Sequence, residues 1–227
     1  MKEVFEIVNE HAPYARIDIH NNTGNNPHYA CVTSLDNRYL HLARLFSRTV
    51  VYFEKPVGAQ SVALAAISPA VTIERSCTGA TAGVDHAAEF VASALAISHL
   101  PDYPLATSDI DLLRTSAIVK VPGKATMSFD GSNADVLFCT DLDRLNFFEI
   151  EESTSFGFLG SRRRNRLSVL RADDCAITEP YFDYSGGSIS ITRPAIPAML
   201  TVDPRAIRLD SLCYLMHRID REGRRVS

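Results

Sequence analysis

Apolar and polar positions follow one rhythm up to about Leu100 and another beyond it. Lys2 to Asn9 places Val4, Phe5 and Val8 at helical spacing. Ala15 to His20 alternates with period two, as a strand does, and polar Asn21 to Pro27 reads as a loop. Ser34 or Asp36 is placed to cap a helix running through Leu40, Ala43 and Phe46. Thr49 to Phe53 is β-branched and aromatic, which predicts a strand. A short helix is expected over Ala59 to Ile67, a strand over Ala70 to Glu74, and an amphipathic helix over Val84 to His99, after a loop bracketed by Gly79 and Gly83. Alternating strands and helices predict an α/β domain with a partial parallel or mixed sheet and flanking helices.

The pattern changes near Leu100-Pro101-Asp102-Tyr103-Pro104. Short strand-like runs follow at Ala117 to Val121, Ala125 to Phe129, Val136 to Cys139, Phe147 to Ile150, Leu167 to Leu170 and Ser188 to Thr192. Turn signals such as Pro122-Gly123, Asp130-Gly131 and Gly186-Gly187 separate them. A final helix is expected over Asp210 to Arg218. The reading is an α/β part over residues 1–104 and a smaller β-rich domain over 105–227.

Composition narrows the function classes. The 227 residues carry 23 Lys and Arg against 27 Asp and Glu, a formal charge of −4, which gives no reason to expect nucleic acid as a partner. No apolar run approaches the roughly 20 residues of a membrane span. The N-terminus lacks the apolar core of a signal peptide. The five cysteines are dispersed, odd in number and form no CxxC pair, so a reduced, cytoplasmic protein without a disulfide framework is expected. The only basic run, Arg162-Arg163-Arg164-Asn165-Arg166, reads as a solvated loop.

Candidate chemistry concentrates in Asp18-Ile19-His20-Asn21-Asn22-Thr23-Gly24-Asn25-Asn26. Asp18 and His20 share a strand face, and the end of an open α/β sheet is where ligands bind. An imidazole there can hold a metal; a self-capping Asx-rich turn would look the same in sequence. Glu74 ends an apolar strand, where burial raises a carboxyl pKa and suits a general base. An ion pair with Arg75 accounts for it equally well.

With Pro69-Ala70-Val71-Thr72-Ile73-Glu74 following the Asp18-to-Asn25 element, the sequence resembles the zinc carboxypeptidase-like superfamily, in its succinylglutamate desuccinylase and aspartoacylase branch. The resemblance implies a metal-dependent hydrolase of amide bonds in small N-acyl amino acids. It implies Zn2+ as cofactor, His20 as a metal ligand, Glu74 as the catalytic carboxylate and a small acylated molecule as substrate. Asn21 and Asn22 would shape the crevice, and Arg48 and Arg75, both flanking strands, are candidates for a substrate carboxylate.

The departures are specific. The family takes two further zinc ligands from an H-x-x-E element upstream, whereas His11 here is followed by Ala12, Pro13 and Tyr14. Leu64 stands where aspartoacylase-like enzymes carry a carboxylate-binding arginine, ten residues before Glu74. The chain therefore reads as N-terminally truncated, and the alternative is a non-catalytic remnant serving as an interaction or oligomerisation module. His86-Ala87-Ala88-Glu89 has ligand spacing but follows Glu74, so a surface helix explains it better. A site rebuilt from His20, His28 and His86 would require the three side chains to converge. No GxSxG, HExxH, P-loop or GxGxxG occurs, which removes the simplest support for serine hydrolases, classical metalloproteases and nucleotide enzymes.

Overall fold

The computed structural model describes residues 10, 13–53, 68–75, 81–160, 165–171 and 180–226. The helices expected over Lys2 to Asn9 and Ala59 to Ile67, the first three arginines of the basic run, and Cys77 lie outside the described residues. Chain contacts define two compact units. One holds Met1–Asn22, His28–Arg114 and Arg218–Ser227, and the other holds Thr23–Pro27 and Thr115–His217.

The first unit is built on β1 (Arg16–Asn21), β2 (Tyr29–Val32), β3 (Thr49–Tyr52), β4 (Ala70–Arg75) and the start of β5 (Asp111–Lys120), in the order β1-β4-β2-β3-β5. The sheet is mixed, with β1 parallel to β4, β2 antiparallel to β4, and β2, β3 and β5 parallel in turn. Among the described residues two helices accompany it, α1 (Asn37–Phe46) and α2 (Thr81–Ala96). Asp36 caps α1 by accepting a hydrogen bond from the Arg38 N–H at 2.9 Å. Leu40, Ala43 and Phe46 of α1 and Ala87, Phe90 and Ala94 of α2 pack in one core with Ala30, Val32, Val50, Val71 and Ile73. Alternation along the strands puts these strand residues on one face. Register puts Asp18, His20, Thr72, Glu74 and Tyr29 on the other.

The second unit is β-rich. A five-stranded sheet runs β10 (Phe182–Asp183), β11 (Ser188–Ile191), β8 (Ser155–Leu159), β7 (Val136–Phe138) and β6 (Met127–Ser128). The later part of β5 pairs antiparallel with β9 (Ser168–Arg171), and β12 (Ile196–Ala198) pairs with β13 (Cys213–Arg218). Phe138, Phe156, Ile189, Ile191, Leu200 and Leu215 anchor its core. Gly157 has φ 143, and a Cβ there would lie 2.0 Å from the Leu137 carbonyl oxygen. Glycine is thus what lets β7 and β8 cross closely.

Three expectations are corrected. The residues expected as a terminal helix form β13, with α3 (Pro204–Leu209) before it. Asp203 caps α3 and Pro204 opens it, while Leu215 and Met216 pair with Pro197 and Ile196 of β12. Phe147 to Ile150 is no strand: Phe147 takes φ 62, and only Ile150 bridges, to Ala195. The loop around Gly83 is instead the first turn of α2.

Candidate functional site

β1 and β4 bring His20 and Glu74 together. The two strands run parallel in register through six residue pairs, and the pairs include Asp18 with Thr72 and His20 with Glu74. Strand alternation then turns Asp18, His20, Thr72 and Glu74 to one face. The His20 ring lies between two carboxylates, with Nε2 3.1 Å from Asp18 Oδ2 and Nδ1 3.5 Å from Glu74 Oε1. Asn22, just past the end of β1, donates from Nδ2 to Glu74 Oε2 at 3.4 Å.

Burial separates these groups. Glu74 retains 8% exposure and Asn22 6%, whereas the His20 side chain is half exposed. Desolvation raises the Glu74 carboxyl above its ordinary range, while the His20 charge and the Asn22 and His20 hydrogen bonds pull against that rise. Asp18 adds a smaller upward push as a neighbouring like charge. A buried carboxyl with a partly exposed imidazole beside it can accept a proton from a polar molecule and pass it on.

Two further residues belong to this face. Tyr29 pairs with Glu74 across β2 and β4, and Cys31 pairs with Thr72. Burial first, and the Glu74 carboxylate second, push the Cys31 thiol up, so it stays protonated at neutral pH. Neither was signalled by sequence, because Tyr29–Val32 is a four-residue run whose neighbours come from distant β3 and β4.

The other candidates are placed elsewhere. Asn21 is exposed at the end of β1. The rest of the Asn-rich loop is bound within the second unit: Thr23 Oγ1 donates to Thr201 Oγ1 at 3.1 Å, and Asn26 Oδ1 accepts from the Met199 N–H at 3.0 Å. Gly24 fits against Leu200, whose carbonyl oxygen lies 2.1 Å from where a Cβ would stand. Arg48 is exposed and donates to the Ser108 carbonyl. Arg75 lies on the opposite face of β4 from Glu74, beside Gly83 of α2.

The later histidines form a packing cluster. The His28 and His86 rings are 4.8 Å apart, and His86 Nε2 is 2.9 Å from the Phe46 carbonyl oxygen. Burial first, and His86 second, lower the His28 imidazole. Glu89 is exposed, so the His86-to-Glu89 spacing gathers no ligand pair.

A hydrolytic zinc takes three protein donors and keeps a fourth position open. Among the described residues, no group of three or more His, Cys, Asp or Glu is arranged to hold an ion. Both ring nitrogens of His20 already face carboxylates. The donor set present here does not fit zinc by itself.

In its mixed sheet and β-rich unit this chain matches the fold of solved succinylglutamate desuccinylase and aspartoacylase structures. The solved structures it matches include a succinylglutamate desuccinylase/aspartoacylase from Rhodobacter sphaeroides, at TM-score 0.56 and 11% identity. They also include succinylglutamate desuccinylase from Vibrio cholerae, at 0.53 and 14%, and murine aminoacylase 3, at 0.52 and 12%. Each match covers 96% of this chain but only 63%, 59% and 68% of the respective structure, so the chain spans about three fifths to two thirds of their length. No protein-family model matches the sequence, and no curated protein does. Among the described residues, no helix is long and apolar enough to cross a membrane.

Proposed function

We propose that this chain carries part of the machinery of a hydrolase acting on the amide bond of small N-acyl amino acids. The observation that carries the reading is Glu74, a buried carboxylate at the end of an apolar strand, held by His20 and Asn22 on a face away from the helices. In this role Glu74 takes a proton from the attacking water and returns it to the departing amine. Asn22 fixes the carboxylate's orientation through Oε2. Asp18 is a positioning residue, holding the His20 ring by Nε2 so that Nδ1 faces Glu74. The fold shared with desuccinylase and aminoacylase structures supports acylated amino acids as the substrate class. Zinc dependence requires two donors beyond His20, from outside the described residues.

The same shortage of donors favours a second reading, in which the chain is a non-catalytic remnant used as an interaction or oligomerisation module. Hydrolysis assays with N-succinylglutamate and N-acetylaspartate, with and without added zinc, separate the two. The hydrolase reading expects turnover that falls by about 10²- to 10⁴-fold in Glu74→Gln, the usual size of a lost general base. Absence of turnover under both conditions, or turnover indifferent to Glu74→Gln, leaves the remnant reading.

A further inference from the structure

Three elements of the first unit meet at a pair of imidazoles. His28 stands just before β2, and His86 lies in α2. Their ring centroids are 4.8 Å apart with 37° between the planes. Both rest on Phe46, the last residue of α1, at 5.9 and 4.6 Å from its ring. The last carbonyls of a helix have no partner within it. Here the Phe46 carbonyl receives His86 Nε2 at 2.9 Å, and because a carbonyl only accepts, that nitrogen carries a proton. Ser47 donates from Oγ to the His28 carbonyl at 2.8 Å and accepts from the Thr49 N–H at 3.0 Å. His28 is thus fastened to α2 by its ring and to the end of α1 by its backbone.

Neutral imidazoles pack face to face as aromatic rings do. A proton on each sets two positive charges against one another in a half-buried spot. The elements around the pair hold other charges. On α1, His41 binds the Tyr103 carbonyl and Arg44 is half-buried, and just past it Arg48 binds the Ser108 carbonyl. On α2, Asp85 and Glu89 are exposed. On β4, continuing the register that sets Tyr29 against Glu74 brings Arg75, a permanent cation, level with His28. Cys31 of β2 lies on the opposite face, with Thr72 and Glu74. Burial first, and His86 second, lower the His28 imidazole. Once opened, His28 returns to the ordinary histidine value near 6.5, so the open form binds more protons. The closed junction is therefore fully favoured above about pH 6.5 and loses ground as pH falls below it.

We propose that His28 and His86 form an acid-opened latch that ties the start of β2 to α1 and α2, and that a proton on each ring releases it. The strand it frees is the one that sets Tyr29 against Glu74, so acid loosens the sheet beside that carboxylate. The latch depends on these two rings and not on the hydrolase reading, since a protein without turnover opens in the same way.

Residue-resolved hydrogen exchange of the full chain at pH 7 and pH 5, corrected for intrinsic rates, tests this. Protection of the β2, Ser47 and Thr49 amides is expected to fall by roughly tenfold or more at pH 5, the effect of two like charges at this range in a half-buried site. Protection of Ile189 and Ile191 in the second unit is expected to stay unchanged. His28→Phe keeps a ring against Phe46 and His86 but takes no proton, and is expected to retain protection at pH 5. Ring-proton NMR is expected to place the His28 midpoint below the ordinary histidine value in the wild type and to raise it in His86→Phe, which decides the matter if His28→Phe fails to fold. Equal protection at both pH values, the same acid loss in His28→Phe, a loss shared by Ile189 and Ile191, or an unmoved His28 midpoint in His86→Phe would overturn the proposal.

Discussion

At the end of β4, burial works against ionisation of Glu74 while His20 and Asn22 work for it. That opposition was partly legible in the sequence. A carboxylate ending the apolar run Ala70 to Ile73 signals a buried, paired acid, and the period-two run of β1 puts Asp18 and His20 on one face. Neither says that His20 and Glu74 are neighbours, because that depends on which strand β1 pairs with and in what register. Arg75 illustrates the limit: next to Glu74 in sequence, it falls on the other face by strand alternation alone. Asp130 gives a test of the same hydrogen-bond physics away from the site. Hydrogen bonds from Ser132, then from Ser128, draw its carboxyl down to about 2. The folded value is below the unfolded one, so its stabilisation is fully present above about pH 4 and is lost as pH falls through about 2. Urea midpoints of wild type and Asp130→Asn are therefore expected to differ at neutral pH and to converge near pH 2.

Elements with local signals were readable, and elements defined by their partners were not. The α1 helix follows from Asp36 and the spacing of Leu40, Ala43 and Phe46. Replacing the cap in Asp36→Ala is expected to cost about 1 kcal/mol in chemical denaturation, the usual size of a lost N-cap. By contrast, Leu212, Leu215 and Met216 are all buried, as is Cys213, so β13 lacks the clean alternation of a half-exposed strand and mimics helical spacing. Pairing with β12 makes it a strand. The short β2 owes its identity to β3 and β4 on either side, and nothing within Tyr29 to Val32 announces that position. The run from Phe147 to Ile150 has strand composition, but its Phe147 N–H donates to the Pro197 carbonyl at 2.7 Å from a left-handed conformation, which ends any extended path.

For the molecule as a whole, the order of patterns was enough to give an α/β part followed by a β-rich part, because each buries its own cluster of apolar side chains. The comparison structures are longer by roughly a third or more of their length. Among the described residues no group of three or more His, Cys, Asp or Glu could hold a metal ion, whereas a catalytic zinc takes three protein donors. Isothermal titration of zinc into the purified chain is accordingly expected to show weak binding that diminishes in His20→Ala. Tight stoichiometric binding indifferent to His20→Ala would remove the imidazole from any metal role. Arg114 belongs to one unit and Thr115 to the other, both within the single strand β5, and β13 likewise passes from one to the other between His217 and Arg218. Excising either unit would cut β5 in mid-strand and β13 before its last residue, and would also cut the chain on both sides of Thr23–Pro27, so neither unit is a contiguous stretch of sequence that can be moved whole.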